Sequence, residues 1–251
     1  MKVKKIIITG GATRIGAAIA KSLAGSDTKI SIHYNKSKNH ALKLKNTLEN
    51  YGSEVYLLKA DLNNYSQTYN LLNLANKKME GVDCLINNAS LFENDDLQNF
   101  SEKSFTKHFN INLRAPAILI QNFKKILKKT EGCVVNIIDQ RVEKLTPFFF
   151  SYTLSKSSLV TLTKTSAMKL APNIRINAVS PGPTLKNSRQ SERHFKKQWK
   201  SVLLKKKVDL KSICNGVKFL IENENVTGEI INIDSGQRLA WNTPDIINVK
   251  E

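Results

Sequence analysis

Strand-like and helix-like patterns alternate along almost the whole chain, and this alternation constrains the fold more than any other feature. Short apolar runs rich in β-branched residues are each followed by a stretch with helical periodicity. The strand pattern is found at 3–9, 29–34, 54–59, 83–87, 133–138, 174–179 and 229–233. Repeated strand–helix units predict parallel strands with helices on both faces. We therefore predict an α/β doubly wound fold in a single domain, residues 1–251.

Helical periodicity separates these strands. It covers 15–23, 37–51, 65–80 and 151–170, and it predicts one long helix over 101–129. The segment 183–207 is looser and rich in Lys and Arg. Because it follows the sixth strand without a clear periodicity of its own, we predict that it is a substrate lid.

Composition limits the class of protein. The chain has 251 residues, of which 41% are apolar, and this suits one globular domain. No apolar run approaches the roughly 18 residues of a membrane span. The first residues lead directly into a strand pattern, so we expect no signal peptide. The three cysteines are scattered, and Cys84 and Cys133 lie in apolar runs, which is typical of reduced core thiols. We expect a cytoplasmic protein without a membrane partner.

The net charge of +18 raises the alternative of nucleic-acid binding. Aromatic residues, however, are not interleaved with the basic ones as a stacking platform would require. The basic residues are instead spread over what the pattern predicts as polar helix faces, which favours a solvated surface that attracts anionic small molecules. The basic residues in question include Lys43, Lys45, Lys77, Lys78, Lys124, Lys125, Lys128, Lys129 and the run 205–207.

The first strand–helix turn is rich in glycine and reads Thr9-Gly10-Gly11-Ala12-Thr13-Arg14-Ile15-Gly16. Glycine permits a tight turn, and the helix that follows presents its positive end to phosphate. The run is not a full G-x-G-x-x-G pattern, because Arg14 replaces a glycine. A turn without a ligand is the alternative, but the position after the first strand favours a dinucleotide site.

The end of the second strand predicts which dinucleotide binds. NAD-binding folds usually place a carboxylate there to hold the ribose 2′-hydroxyl. This chain has His33-Tyr34-Asn35-Lys36-Ser37, and Lys36 and Ser37 suit a 2′-phosphate. We therefore predict NADPH; the alternative is a plain surface lysine. Asp61, after the third strand, is expected either to hydrogen-bond the adenine or to cap a helix.

A tyrosine and a lysine stand four residues apart in Tyr152-Thr153-Leu154-Ser155-Lys156, on one helical face. A phenol normally titrates near 10. A neighbouring ammonium favours the phenolate and is expected to lower the pKa of Tyr152, which makes it a usable proton donor. A surface pair is the alternative. Together with the glycine turn and Asn87-Asn88-Ala89, the pair is more specific evidence of a catalytic site than it is alone.

With these motifs, the chain resembles the classical short-chain dehydrogenase/reductases over almost its whole length. Further matching marks are Asn112 and Ser180-Pro181-Gly182-Pro183-Thr184. The resemblance implies a Rossmann-type, seven-stranded parallel sheet and a homotetramer or homodimer built through the two long helices. It implies Tyr152 as proton donor, Lys156 on the nicotinamide ribose and Asn112 supporting a proton-relay water. It implies a cofactor site of Gly10, Arg14, Ile15, Gly16, Tyr34, Asn35, Lys36, Ser37, Asp61, Leu62, Asn88, Ala89, Ser90, Tyr152, Lys156, Pro181, Gly182 and Thr184.

One position departs from that family's usual pattern. The family usually has a serine about thirteen residues before the tyrosine, and Asp139 stands there. An aspartate in that place is similar to the pteridine reductases and the related dihydromonapterin and dihydrofolate reductases. The tail 234–241 resembles theirs too. This likeness implies a substrate site of Arg14, Ser90, Phe92, Asp139 and Tyr152, in which Phe92 stacks the pterin against the nicotinamide.

Each of these substrate residues also has a plainer interpretation. Phe92 could be a core or lid aromatic, Asp139 could cap a loop, and Arg14 could bind only cofactor phosphate. His33, His40, His108 and His194 have no metal-like spacing, so no metal is expected.

The sequence thus predicts NADPH-dependent reduction of a dihydropterin or dihydrofolate C=N bond. Two alternatives stay open. A 3-oxoacyl carrier-protein reductase or general carbonyl reductase shares the family marks, although Asp139 counts against it. A non-catalytic cofactor-binding or nucleic-acid-associated protein would have no need of the Tyr152–Lys156 pair.

Overall fold

The computed structural model describes residues 4–127, 131–187 and 189–241. The strands in these ranges form one seven-stranded sheet in the order β3-β2-β1-β4-β5-β6-β7. Every pairing is parallel. The predicted fold class is therefore confirmed, although residue 3 of the predicted first strand lies outside the described residues. The strands are β1 Lys5–Ile8, β2 Lys29–Tyr34, β3 Glu54–Lys59, β4 Cys84–Asn87, β5 Gly132–Ile137, β6 Ile174–Pro181 and β7 Ile230–Ile233.

Helices cover both faces of the sheet. They are α1 Arg14–Leu23, α2 Lys38–Asn50, α3 Tyr65–Met79, α4 Glu102–Phe109, α5 Ala115–Leu127, α6 Phe150–Leu170, α7 Glu192–Lys200 and α8 Leu210–Glu222. Short 3₁₀ turns lie at Gln140–Val142 and Gln237–Leu239. Among the described helices, none is long and apolar enough to cross a membrane.

The alternation of side chains along β1 explains the two-sided core. Ile6 and Ile8 enter an apolar cluster with α1, α2 and α8, whereas Ile7 enters a second cluster with α3 and α5. A strand buried on both faces is apolar at every position, and this is why β1 reads as a continuous apolar run.

Strand order reverses between β1 and β4, because β2 and β3 lie on one side of β1 and β4 to β7 on the other. In open parallel sheets, ligands bind in the crevice at the carboxyl ends of the strands beside such a reversal. The turns after β1 and β4 carry the glycine turn and the Asn88-Ala89-Ser90 run. The fold thus brings the two predicted motifs to one edge.

Two predictions about elements need correction. The predicted helix over 101–129 is interrupted by a π-helical turn at Asn110–Arg114, and residues 128–129 lie outside the described part of the chain. A π turn inserts one extra residue within a single turn, and helical periodicity read over a long stretch does not resolve so local a change. The segment 183–207 is also more ordered than expected, because α7 lies within it.

Candidate active site

The glycine turn after β1 is shaped by close contacts with the turn after β4. Gly10 has a φ of +59°, and a Cβ there would lie 2.9 Å from Ala89 Cα. A Cβ on Gly16 would lie 2.5 Å from the Gly10 carbonyl oxygen. Thr13 precedes α1 without capping it through its side chain. The N–H groups of the first turn are therefore available to a phosphate.

A buried histidine at the end of β2 holds this turn in place. The Gly10 N–H donates to His33 Nδ1 at 3.0 Å, so Nε2 carries the proton and donates to the Ala60 carbonyl at 3.1 Å. Burial lowers the pKa of His33 to about 4. The sequence pattern assigns His33 no such role, since the role depends on contacts between three separate segments.

The carboxyl end of β2 presents a lysine and no carboxylate. Tyr34 is half-buried, Asn35 and Lys36 are exposed, and Ser37 precedes α2 without a side-chain capping bond. This donor set fits a phosphorylated ribose by charge and by hydrogen bonding.

Asp61 follows β3 but does not cap α3. Asn64 does that, by accepting the Gln67 N–H, while Asp61 Oδ1 accepts the Asn63 N–H at 3.0 Å. The helix-cap alternative for Asp61 is therefore wrong. Leu62 is buried beside it.

Asp139 and Tyr152 form one hydrogen-bonded pair. The Tyr152 hydroxyl donates to Asp139 Oδ2 at 2.8 Å. The other carboxylate oxygen, Oδ1, accepts the Arg141 N–H at 2.9 Å and starts the 3₁₀ turn Gln140–Val142. Asp139 thus caps the loop with one carboxylate oxygen and binds Tyr152 with the other.

The expected direction of the Tyr152 pKa needs correction. Burial, followed by the charge of Asp139 and the hydrogen bond to it, raises the pKa of Tyr152 well above its ordinary value. Burial also raises the pKa of Asp139, although the hydrogen bond from the Arg141 N–H stabilises the ionised carboxylate and acts in the opposite direction. The prediction considered only nearby positive charge, whereas burial and then the directly bonded carboxylate dominate. The phenol therefore keeps its proton.

Lys156 lies on the same face of α6 as Tyr152, with Nζ 5.9 Å from the centre of the phenol ring. Its ammonium donates to the Ile137 carbonyl at 2.8 Å, and the side chain is 2% exposed. Burial lowers its pKa to about 8. A surface pair, the plainer interpretation, is excluded because Tyr152 is also only 5% exposed.

Asn112 sits in the π-helical turn and ties three segments together. Its Oδ1 accepts the Leu91 N–H at 2.8 Å and the Ser90 hydroxyl at 3.2 Å. Its Nδ2 donates to the Leu91 carbonyl and to Ser155 Oγ, each at 3.0 Å. These four bonds use the full capacity of the amide. The side chain therefore positions the turn after β4 against α6.

Phe92 lies directly beside the catalytic candidate Tyr152, with ring centres 4.6 Å apart at 65°. It also stacks on Phe149 at 4.4 Å and 13°. The guanidinium groups of Arg141 and Arg189 lie within 6 Å of both phenylalanine rings. The sequence predicted Phe92 and not the other three. The run of three phenylalanines just before the Tyr152 motif was the available signal for Phe149.

Arg14 joins the glycine turn to the segment after β6. Its guanidinium donates to the carbonyls of Leu185 and Lys186 at 3.0 and 2.9 Å. Pro181 ends β6, and the buried Thr184 donates to the Gly182 carbonyl at 3.0 Å. Arg14, Pro181, Gly182 and Thr184 thus share the edge that carries the turn after β1.

No group of three or more His, Cys, Asp or Glu in residues 4–127, 131–187 and 189–241 could hold a metal ion. The titratable side chains that meet at this site are a phenol, a carboxylate and an ammonium.

The chain matches a family model and is similar to curated proteins over most of its length. A family model described as Enoyl-(Acyl carrier protein) reductase matches residues 10–238. A 3-oxoacyl-(acyl-carrier-protein) reductase of Staphylococcus epidermidis is 25% identical over 93% of this chain and 98% of its own length.

Two solved structures are more similar. FolM alternative dihydrofolate reductase 1 from Brucella suis, in complex with NADP, is 40% identical, with a TM-score of 0.93 over 97% of this chain and 98% of its own. The Brucella canis protein, also complexed with NADP, is 40% identical, with a TM-score of 0.89 over 96% of each chain. These complexes agree with the predicted cofactor. The chain belongs to the short-chain dehydrogenase/reductase family.

Proposed function

We propose that this protein is an NADPH-dependent reductase that converts a dihydropterin or dihydrofolate C=N bond to the tetrahydro form. The observation that carries the proposal is the 2.8 Å hydrogen bond between Tyr152 and Asp139. A ring nitrogen needs a proton when the adjacent carbon accepts a hydride, and a carboxylate behind the phenol can replace that proton. The Brucella reductases support the same substrate class.

The proposed cofactor site lies at the strand reversal. Gly10, Gly16 and the start of α1 take the pyrophosphate, with Arg14 and Ile15 beside it. Lys36 and Ser37 take the 2′-phosphate, and Tyr34, Asn35, Asp61 and Leu62 surround the adenosine. Lys156 holds the nicotinamide ribose, and the remaining contacts come from Asn88, Ala89, Ser90, Pro181, Gly182 and Thr184. When bound, NADPH supplies the hydride.

The chain's own residues handle the proton. Tyr152 gives its hydroxyl proton to the substrate nitrogen, and Asp139, when protonated, returns one to the phenol oxygen. The raised pKa of Asp139 brings its protonated form closer to neutral pH. Because Asp139 is only half-buried, solvent can then reprotonate it. The C=N bond thereby gains one hydride at carbon and one proton at nitrogen.

The substrate ring is proposed to lie against Phe92, next to Tyr152, with Ser90 and Arg14 at its edge. An aromatic ring and a flat heterocycle gain stacking energy in the orientation that hydride transfer needs. Phe149 already covers one face of Phe92, so the pterin uses the other face or displaces Phe149.

A ketone substrate is the second candidate, and one observation favours it: the Staphylococcus relative is a 3-oxoacyl carrier-protein reductase. Asp139 counts against it, because a carboxylate does not polarise a carbonyl as a serine hydroxyl does. A purely binding role would leave the hydrogen bond from the buried Tyr152 to Asp139 and the burial of Lys156 unexplained.

We further propose that residues 183–207 act as the lid, that the protein is cytoplasmic, and that it forms a homodimer or homotetramer. Exposed apolar side chains on α6, such as Leu154 and Met168, support an interface on that helix.

The test is NADPH oxidation by the purified protein with dihydrobiopterin, dihydromonapterin, dihydrofolate and an acetoacetyl thioester as separate substrates. Turnover of a pteridine substrate is expected. Turnover of the thioester alone would show the pteridine assignment to be wrong.

A further inference from the structure

Two arginines from separate segments converge on the aromatic pair beside Tyr152. Arg141 Cζ lies 4.7 Å from the centre of Phe149 and 5.8 Å from that of Phe92. Arg189 Cζ lies 5.0 Å from Phe92 and 5.5 Å from Phe149. Arg141 follows β5, whereas Arg189 precedes α7. The fold therefore gathers two positive charges beside Phe92, the ring against which the pterin is proposed to lie.

Neither charge is paired in an ion pair within the part of the chain that the structure describes, although the charge of Arg141 also stabilises the ionised form of Asp139. Arg141 donates to the Thr146 hydroxyl at 3.2 Å, and neither guanidinium pairs with a carboxylate of the described residues. The segment around Arg189 adds to the field, because 183–207 contains nine Lys or Arg and only Glu192 as an acid. Like charges held together repel each other, so this cluster favours an anion from outside.

We infer that Arg141 and Arg189 bind the carboxylate tail of the substrate, so that the enzyme prefers a pteridine with an acidic tail over one with a neutral tail. The inference rests on the proposed function. A guanidinium matches a carboxylate through paired N–H donors, and its planar face lies well on an aromatic ring. The tail of dihydrofolate carries two carboxylates, whereas that of dihydrobiopterin carries none. Because the two compounds share the reducible ring, a difference in KM between them reports the contribution of the tail.

The experiment compares kcat and KM for both compounds in the wild type, Arg189→Gln and Arg141→Gln. With Arg189→Gln, we expect the KM for dihydrofolate to rise about tenfold while kcat stays within about twofold. The values for dihydrobiopterin should stay within about twofold. Lys77→Gln is the control, because it removes one positive charge from an exposed position on α3, outside 183–207, and should leave the values for both substrates unchanged.

A second readout needs no variant. Raising the salt concentration should increase the wild-type KM for dihydrofolate and not that for dihydrobiopterin, because salt screens exposed charges. If Arg189→Gln affects both pteridines equally, or neither, the tail site is wrong while the reductase assignment stands. If the wild type reduces none of the three pteridines, dihydromonapterin included, the proposed function itself fails. A selective loss of acetoacetyl-thioester turnover in Arg189→Gln would also overturn the inference, since the arginines would then serve an acyl substrate.

Discussion

Replacing Asp139 by asparagine tests the proton path most directly. In the wild type, the two carboxylate oxygens accept from Tyr152 and from the Arg141 N–H at 2.8 and 2.9 Å. The asparagine side chain keeps the size but offers one acceptor oxygen, so one of these bonds is lost and no proton can be returned to the phenol. A hydrogen bond to a charged group contributes about 1.5–3 kcal/mol. We therefore expect kcat for the pteridine substrate to fall roughly 10- to 150-fold.

The pH profile gives the sharper signature. Burial raises the pKa of Asp139, and the proposed donor is its protonated form. Wild-type kcat should therefore fall as pH rises through that raised pKa, and the fall should be absent in Asp139→Asn. Initial rates of NADPH oxidation between about pH 4.5 and 8 measure both effects.

Asp139→Ser is the matched control, because serine is the usual family residue at this place. It should lose pteridine reduction like Asp139→Asn, yet it should support more reduction of a ketone, which a hydroxyl can polarise. If Asp139→Asn keeps pteridine kcat within about twofold and an unchanged pH profile, then Asp139 is a loop cap and the proton path is wrong.

Three other predictions concern the cofactor and the frame of the site. Lys36→Ala should reduce the preference for NADPH over NADH about tenfold in kcat/KM, through loss of a phosphate contact, with exposed Lys38→Ala as the control. Because the pKa of Lys156 is about 8, the charged form predominates below that pH, so kcat/KM for NADPH should fall above about pH 8, and Lys156→Arg should move the fall to higher pH. The pKa of His33 is about 4 in the folded chain against about 6.5 in the unfolded chain, so the unfolded state binds the proton more readily. About 3 kcal/mol of the free energy of unfolding, fully present above pH 6.5, is therefore lost as pH falls toward 4. In urea unfolding, the free energy of unfolding of His33→Gln should lack this part of the loss at acid pH. An equal loss in the variant and in the wild type would contradict the prediction.

Much of the fold followed from one-dimensional patterns. The alternation of apolar runs and helical periods predicted the order of strands and helices, because burial on both faces makes β1 apolar at every position. The glycine turn and the missing carboxylate after β2 predicted a phosphorylated dinucleotide. Asp139 was also visible, because its distance from Tyr152 along the chain matches a marked position in the family pattern.

The tertiary structure decided what the spacing could not. The pKa of Tyr152 depends on its burial and on Asp139, 2.8 Å away, rather than on Lys156, its neighbour on the helix. Arg141 and Arg189 meet at one aromatic pair although they are far apart in the chain. The sequence by itself determined the βα order and the cofactor class, and it predicted the reacting residues, because these follow from local patterns. Only the folded chain decided which charges face each other, because electrostatic energies depend on distance through space.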